Sequence, residues 1–321
     1  MELVLPKAEI WEQGIKSPVE DMYKHIARCT RVCYQSEKKD NNETDEDFVK
    51  RVILRKEPWS SEANHLAMLE HGTVYLKMPG EDIVAKCDHN GHDYVHNPYS
   101  RVKIKMVYEK SDDVIGTIYL FITTNLRVLV ENDWLEDLKY MCAPTEHHAK
   151  RVTVSFTTNI GVTREFNRHR VDSIAEESTR YCNYNKRNDC QLKIALPAWL
   201  LGEEHLPYIE SHQFDKLSSY CEDVLADDNL IDNWCDIDYY LFSLTVAEFC
   251  YNSLIFKGWK PQQAREVLPL ATKSQLVHTA FISDWEHFFK LRAEGVSGVP
   301  HPNASLLAKP LFEEFKKRNY V

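Results

Sequence analysis

Residues 164–181 are the part of the chain that most restricts what it can fold into. Arg164, Arg168, Arg170 and Arg180 stand there among His169, Asp172, Ser173, Glu176, Glu177 and Ser178. Arginine keeps its charge inside proteins, so this segment cannot vanish into an apolar core. It must lie on a solvated face laced with salt bridges, or line a pocket where guanidinium forks meet phosphate or carboxylate oxygens. The rest of the chain is acidic, 39 Lys and Arg against 49 Asp and Glu, net −10. A dense group of cations in an acidic chain points to a pocket for an anionic small molecule. The acidic balance argues against nucleic acid or an anionic membrane as the main partner.

With 321 residues, 43% hydrophobic and 27% charged, the chain can bury a sizeable core. It reads as one domain over 1–321 with an insertion at about 80–150. No run of about 18 apolar residues occurs, and the first residues lack a basic segment leading into an apolar one. Neither a membrane span nor a signal peptide is therefore expected. The nine cysteines are scattered without Cys-x-x-Cys spacing, which fits reduced thiols in the cytoplasm. No GxGxxG or GxxxxGKS/T run is present, which argues against a Rossmann or P-loop nucleotide site.

Residues 17–34 predict a helix capped by Ser17 and opened by Pro18, with Met22, Ile26 and Cys29 on one face. Two short helices over 48–55 and 60–70, broken at Pro58, precede a strand at 73–78. In the insertion, 102–108 and 114–123 alternate as strands around a charged turn at 110–113, and 125–141 predicts a helix. Residues 151–157 alternate cleanly as a strand. Thr158 or Asn159 caps the next helix, which buries Val162 and Phe166 and carries Arg168, His169 and Arg170 on its last turn. Residues 173–184 have no clean period and read as a loop, and 191–197 as a short strand. Helices are expected over 203–226 and over 236–257, the second stopped at Lys257-Gly258. A short helix over 261–269 can point Arg265 inward. Residues 272–292 predict a long amphipathic helix burying Leu276, Phe281, Phe288 and Leu291, and 293–321 a Gly/Pro-interrupted tail that turns helical.

The chemistry these residues permit is narrower than their number suggests. Ser178 has no evident base to activate it as a nucleophile. Glu176 and Glu177 can be bases or arginine partners. Arg168, Arg170, Arg180, Arg265 and Arg292 fit anion binding and charge stabilisation better than proton transfer. His65, Glu70 and His71 form a polar group at a helix-to-strand corner, either a helix end or a docking point. Cys87, His89, His92 and His96 match no zinc-finger spacing, so a polar loop is expected there and no metal. These features describe an enzyme or binder for phosphorylated, planar ligands.

The pattern Arg168-His-Arg-x-x-Ser173-x-x-Glu176-x-Ser178-x-Arg180-Tyr181 closely resembles the signature of the flavin-dependent thymidylate synthases. Collinear segments agree with it: Ala27-Arg28-x-x-Arg31-Val-Cys-Tyr34, His65-x-x-x-x-Glu70-His71, Ala264-Arg265-x-Val-Leu-Pro269 and His287-Phe-Phe-x-Leu-Arg292. The resemblance implies an α+β fold with a central, mostly antiparallel sheet flanked by helices, here with an inserted strand-rich module. It implies a homotetramer with FAD in a site shared between subunits. It also implies reductive methylation of deoxyuridine monophosphate (dUMP) to thymidine monophosphate, with methylenetetrahydrofolate as carbon donor and NADPH as reductant. On this resemblance His65, Ala67, Glu70, Arg168, His169, Arg170, Glu176 and His287 contact FAD. Glu165, Arg168, Glu176, Ser178, Arg180 and Arg265 hold dUMP. Arg292 is the catalytic residue, set against the uracil and stabilising charge on its N3/O2 edge.

Some positions depart from the family pattern. Glu165 stands where Gln is usual, Ala175 where Asn is usual, and Phe281 and Ser283 where Asn and Arg are often found. Residues 293–302 look like an altered version of the usual segment after Arg292. A diverged nucleotide or flavin binder without full activity is the alternative these departures suggest. A metal-dependent phosphohydrolase built on the insertion's histidines and a nucleic-acid-binding module are the remaining ones.

Overall fold

The computed structural model describes residues 1–37, 42–59, 64–82, 93–107, 116–187, 191–211 and 234–321. β1 (Glu2–Val4) and β2 (Lys7–Trp11) lead into α1 (Pro18–Tyr34). Pro18 occupies the first turn, where a missing N–H costs nothing, and Glu20 and Asp21 face the positive helix end. Ser17 does not cap through its side chain; its N–H donates to Asp21 Oδ2 at 3.0 Å. α2 (Asp45–Val49), capped by Thr44, runs into a π-type turn over Lys50–Leu54. The helix expected over 60–70 is a 3₁₀ turn at Leu66–His71, and 60–63 lie outside the described residues.

β3 (Thr73–Pro79), β4 (Arg101–Val107) and β5 (Thr117–Asn125) form an antiparallel sheet in the order β3-β5-β4. The strands expected in the insertion are thus present, while their turn at 110–113 lies outside the described residues. The helix expected over 125–141 is split into α3 (Leu126–Glu131), capped by Asn125, and a 3₁₀ turn at Leu135–Tyr140. Asp133, at φ 58°, takes the left-handed conformation that interrupts it.

There follow β6 (Arg151–Asn159), α4 (Ile160–Phe166), β7 (Ser173–Glu176), α5 (Tyr184–Arg187), β8 (Lys193–Ala195) and α6 (Leu206–Ser211). α7 (Asp236–Phe256), α8 (Pro261–Ala264), β9 (Lys273–Phe281), α9 (Ile282–Phe289) and α10 (Pro302–Lys317) end the chain. Of the helix expected over 203–226, residues 212–226 lie outside the described set. The central sheet is antiparallel throughout, in the order β2-β6-β9-β7, and β1 pairs with β8 in parallel. The architecture is α+β, as expected.

Residues 273–281 correct the reading of 272–292 as one helix. They form β9, central between β6 and β7, and are buried on both faces, so polar and apolar residues do not alternate. The spacing of Leu276, Phe281, Phe288 and Leu291 imitates a helical stripe, while β-branched Val277 and Thr279 favour the extended chain. Helix begins only at α9, and a π-type turn over Lys290–Glu294 ends at Gly295, φ 74°. Residues 173–176 correct the loop reading of 173–184: β7 is an edge strand too short to show a period.

The central sheet has unlike faces. Val152, Val154, Phe156, Leu276 and Ala280 look into an aromatic core with Phe166, Trp285, Phe288, Phe289 and Phe315. On the other face Cys29 and Val32 of α1 pack on Ala175 and Val277. Ala175 is 1% exposed, and its small side chain lets α1 approach the sheet. Beyond that contact the face is polar. His25 Nε2 meets Thr153 Oγ1 at 2.9 Å, Thr153 Oγ1 meets Thr279 Oγ1 at 2.7 Å, and Thr279 Oγ1 meets His71 Nδ1 at 2.8 Å. No helix among the described residues is long and apolar enough to cross a membrane.

Two stability predictions follow from this packing. Trp285 is fully buried and its Nε1–H donates to Val152 O at 3.0 Å, so Trp285→Ala should cost about 3–5 kcal/mol in chemical denaturation. Burial, reinforced by Arg28 and Arg151, pushes His25 down from 6.5 to about 4, and burial pushes His71 well below its usual range. Between about pH 6.5 and 4 the unfolded chain therefore binds more protons than the folded one. Stability from these neutral imidazoles is complete above that window and falls as pH drops through it, by about 1.4 kcal/mol per pH unit for each histidine. His25→Gln keeps a polar group near the Nε2 position and should flatten the decline between pH 7 and 5; an unchanged slope would refute this assignment.

Candidate functional site

The cationic segment wraps around the edge strand β7. Asn159 caps α4 by accepting from Val162 N–H at 2.9 Å, which sets where that helix starts and therefore where it stops. α4 ends at Phe166, so Arg168, His169 and Arg170 stand on the turn after the helix rather than on its last turn. His169 is buried; Arg168 and Arg170 are exposed and form no ion pair with a described carboxylate. With Glu165, His287, Arg292 and the loop from Ser297 to His301 they line a cleft of about 530 Å³.

Arg292 is the organising group of that cleft. Its Nη1–H donates to Glu165 Oε2 at 3.0 Å, its Nη2–H to Glu165 O at 2.7 Å and its Nε–H to His169 Nε2 at 3.3 Å. His169 must then be neutral, with its proton on Nδ1. Burial agrees, holding His169 down at about 4 against the opposing pull of Asp172. Burial also lowers the pKa of Arg292, with Glu165 working against it.

A second group gathers at the other end of β7. Ser178 N–H donates to Cys33 O at 3.0 Å, anchoring the loop on the end of α1. Arg180 Nε–H donates to Gln262 Oε1 at 3.2 Å, and Arg265 Nη1–H to Thr179 Oγ1 at 3.4 Å. Arg265 is exposed, not turned inward as its apolar neighbours suggested. Glu176 stands between the groups, accepting from Asn167 Nδ2–H at 2.9 Å and from Ser274 Oγ–H at 3.2 Å. The four residues of β7, a span of roughly 10–13 Å, lie between the two arginine sets in the chain.

The 3₁₀ turn at Leu66–His71 packs on β7 as well, leaving His65 and Ala67 exposed. Glu70 gives its carboxylate to Arg127, so that side chain is already paired. Phe281 is 7% exposed beneath the Arg101 guanidinium, 4.6 Å from its ring centroid, while Ser283 is exposed. Cys87, His89 and His92 lie outside the described residues, and His96 is exposed beside Asp93. Among the described residues no group of three or more metal-ligating side chains occurs.

Contacts between residues far apart in the chain support this arrangement. Arg151 is 9% exposed and donates through Nη1 to Glu70 O at 3.0 Å and Thr73 Oγ1 at 3.3 Å, and through Nη2 to Ser173 Oγ at 3.1 Å. His278 Nδ1 meets Asp172 Oδ2 at 2.8 Å, fully buried, beneath the Arg-His-Arg turn. Reading 272–292 as a helix concealed His278, and a strand buried on both faces carries no periodic signal that marks it.

The family model described as "Thymidylate synthase complementing protein" matches residues 134–318. No curated protein matches the chain. Among solved structures, the UMP/dUMP methylase PolB from Streptomyces cacaoi bound with 5-Br dUMP is 22% identical, covering 52% of this chain and 67% of that one, with a TM-score of 0.36. The same methylase bound with 5-Br UMP is 23% identical, covering 52% and 69%, also with a TM-score of 0.36.

The loop carrying Ser178 and Arg180 rests on a buried ion pair, Lys273 Nζ to Glu177 Oε2 at 2.6 Å, with side chains 13% and 3% exposed. Glu177→Ala strands the lysine and should cost about 3–5 kcal/mol in denaturant titration. A loss below about 1 kcal/mol would mean the pair is not holding the loop.

Proposed function

The match spans more than half of the chain, which therefore belongs to the thymidylate synthase complementing protein family, the flavin-dependent thymidylate synthases, and we propose that it methylates dUMP to thymidine monophosphate. The reading brings with it FAD as cofactor, and methylenetetrahydrofolate and NADPH as co-substrates. It also brings a homotetramer and a cytoplasmic place of action. The observation that carries it is the grouping of Arg168, Arg170, Arg180, Arg265 and Arg292 around one short edge strand in an acidic protein.

The residues fit an anionic, planar cofactor. Arg168 and Arg170 are exposed and without an ion pair among the described residues, as a diphosphate requires, and His65, Ala67 and His287 are open to a ring system. When bound, the flavin supplies the hydride chemistry. The chain's own residues bind and polarise. Arg180 and Arg265 take the nucleotide phosphate, with Ser178 and Glu176 beside it. Arg292, half-buried, stabilises charge developing on the carbonyl edge of the uracil, where a low dielectric strengthens the interaction. His169 orients Arg292 by accepting its Nε–H and stays neutral down to about pH 4.

The purified protein should be yellow or take up FAD, and dUMP should perturb its visible spectrum; a colourless protein that binds no FAD sinks the proposal. Arg180→Ala should weaken dUMP binding by roughly tenfold or more, one charge-assisted contact, with a smaller change in turnover. Arg292→Ala should mainly lower turnover, by about 10²–10³. Small, equal effects in both variants would undercut these roles.

A further inference from the structure

The cations of the cleft are unequal. Arg168 and Arg170 are exposed and have no ionic partner among the described residues, whereas every guanidinium nitrogen of Arg292 already has an acceptor. Three of its five N–H groups are engaged in this way, leaving one on each terminal nitrogen. Glu165 supplies two of the acceptors, its carboxylate and its backbone oxygen. That oxygen belongs to the last turn of α4, at the negative end of the helix, where a cation is favoured. The ion pair is partly sheltered, with side chains 15% and 29% exposed.

We infer that Glu165 is the specificity-determining residue of the cleft: it holds Arg292 as an electrically neutral pair that offers hydrogen bonds but little net charge. A free anion gains less from charge attraction there than at Arg168 and Arg170, while charge developing on a base already hydrogen-bonded to Arg292 is still stabilised at close range. A neutral planar carbonyl edge, such as that of a pyrimidine base, still finds the two remaining N–H groups. The pair thus sorts the two halves of a nucleotide-like ligand, base to Arg292 and anionic groups elsewhere. This extends the proposed function, since the base at Arg292 is taken from that reading, but the charge-sorting role concerns this chain's own residues.

Glu165→Gln tests the idea by removing the charge while keeping an oxygen that can accept from Arg292. Phenylglyoxal labelling with mass spectrometry reads each arginine separately. In the wild-type protein Arg292 should react roughly tenfold more slowly than Arg168 and Arg170, the effect of one partly sheltered charged partner. In Glu165→Gln the Arg292 rate should rise about tenfold, with Arg168 and Arg170 unchanged. Inorganic pyrophosphate, followed calorimetrically, should bind about tenfold more tightly to the variant, whereas deoxyuridine, which has no phosphate, should bind both proteins alike. Equal Arg292 labelling or equal pyrophosphate affinity in the two proteins overturns the inference. If the variant does not fold, wild-type labelling decides by itself: an Arg292 as reactive as Arg168 overturns it. Failure of both proteins to bind dUMP or deoxyuridine would instead strike the proposed function, leaving the labelling and pyrophosphate results to judge Glu165.

Discussion

The site depends on one buried guanidinium. Arg151, the first residue of β6, is 9% exposed, and burial lowers its pKa to about 10, which still leaves it charged at neutral pH. A buried charge is costly unless hydrogen bonds replace its water. Arg151 finds them on Glu70 O, Thr73 Oγ1 and Ser173 Oγ. These acceptors belong to the 3₁₀ turn, the first residue of β3 and the first residue of β7. The demand of one charge for solvation thus ties together the second sheet, the His65–Glu70 turn and the edge strand that carries the signature motif. The threonine and histidine file from His25 to His71 continues the same polar layer across the sheet.

From that layer the division of labour among the arginines follows. β7 is short and lies at the edge, so the chain leaves it in two directions, toward the cleft of Arg292 and toward the loop of Arg180. Buried pairs fix the framework on both sides, Asp172 with His278 and Glu177 with Lys273. The framework's cations are matched by carboxylates, carbonyls or hydroxyls, while Arg168 and Arg170 are exposed without an ionic partner among the described residues. Unequal pairing of like residues is what gives a basic segment a directional electrostatic surface.

Much of this was legible in the residues themselves. The 151–157 alternation, the Asn159 cap and the Lys257-Gly258 stop rest on interactions among near neighbours, and all reappear in the fold. β9 was misread because a strand buried on both faces carries no alternation. Residues 173–176 were misread as a loop because four residues are too few for a period. Arg151 went unnoticed because an arginine opening a strand looks like any solvated end until something packs over it.

The sequence by itself determined which chemical groups are available and where local caps, turns and prolines punctuate the chain, since those forces act within a few residues. It carried the family signature for the same reason: spacing along one strand and its flanking turns is a local property. Only the tertiary structure decided which charges are spent. Glu165 and Arg292 lie 127 positions apart, Glu177 and Lys273 96 apart, and Asp172 and His278 106 apart. Whether such groups meet depends on sheet order and on how helices pack against it. Hence the same set of arginines and carboxylates reads as an undifferentiated cationic stretch in one dimension. In three dimensions it becomes a neutral pair, two buried supports and a few free cations.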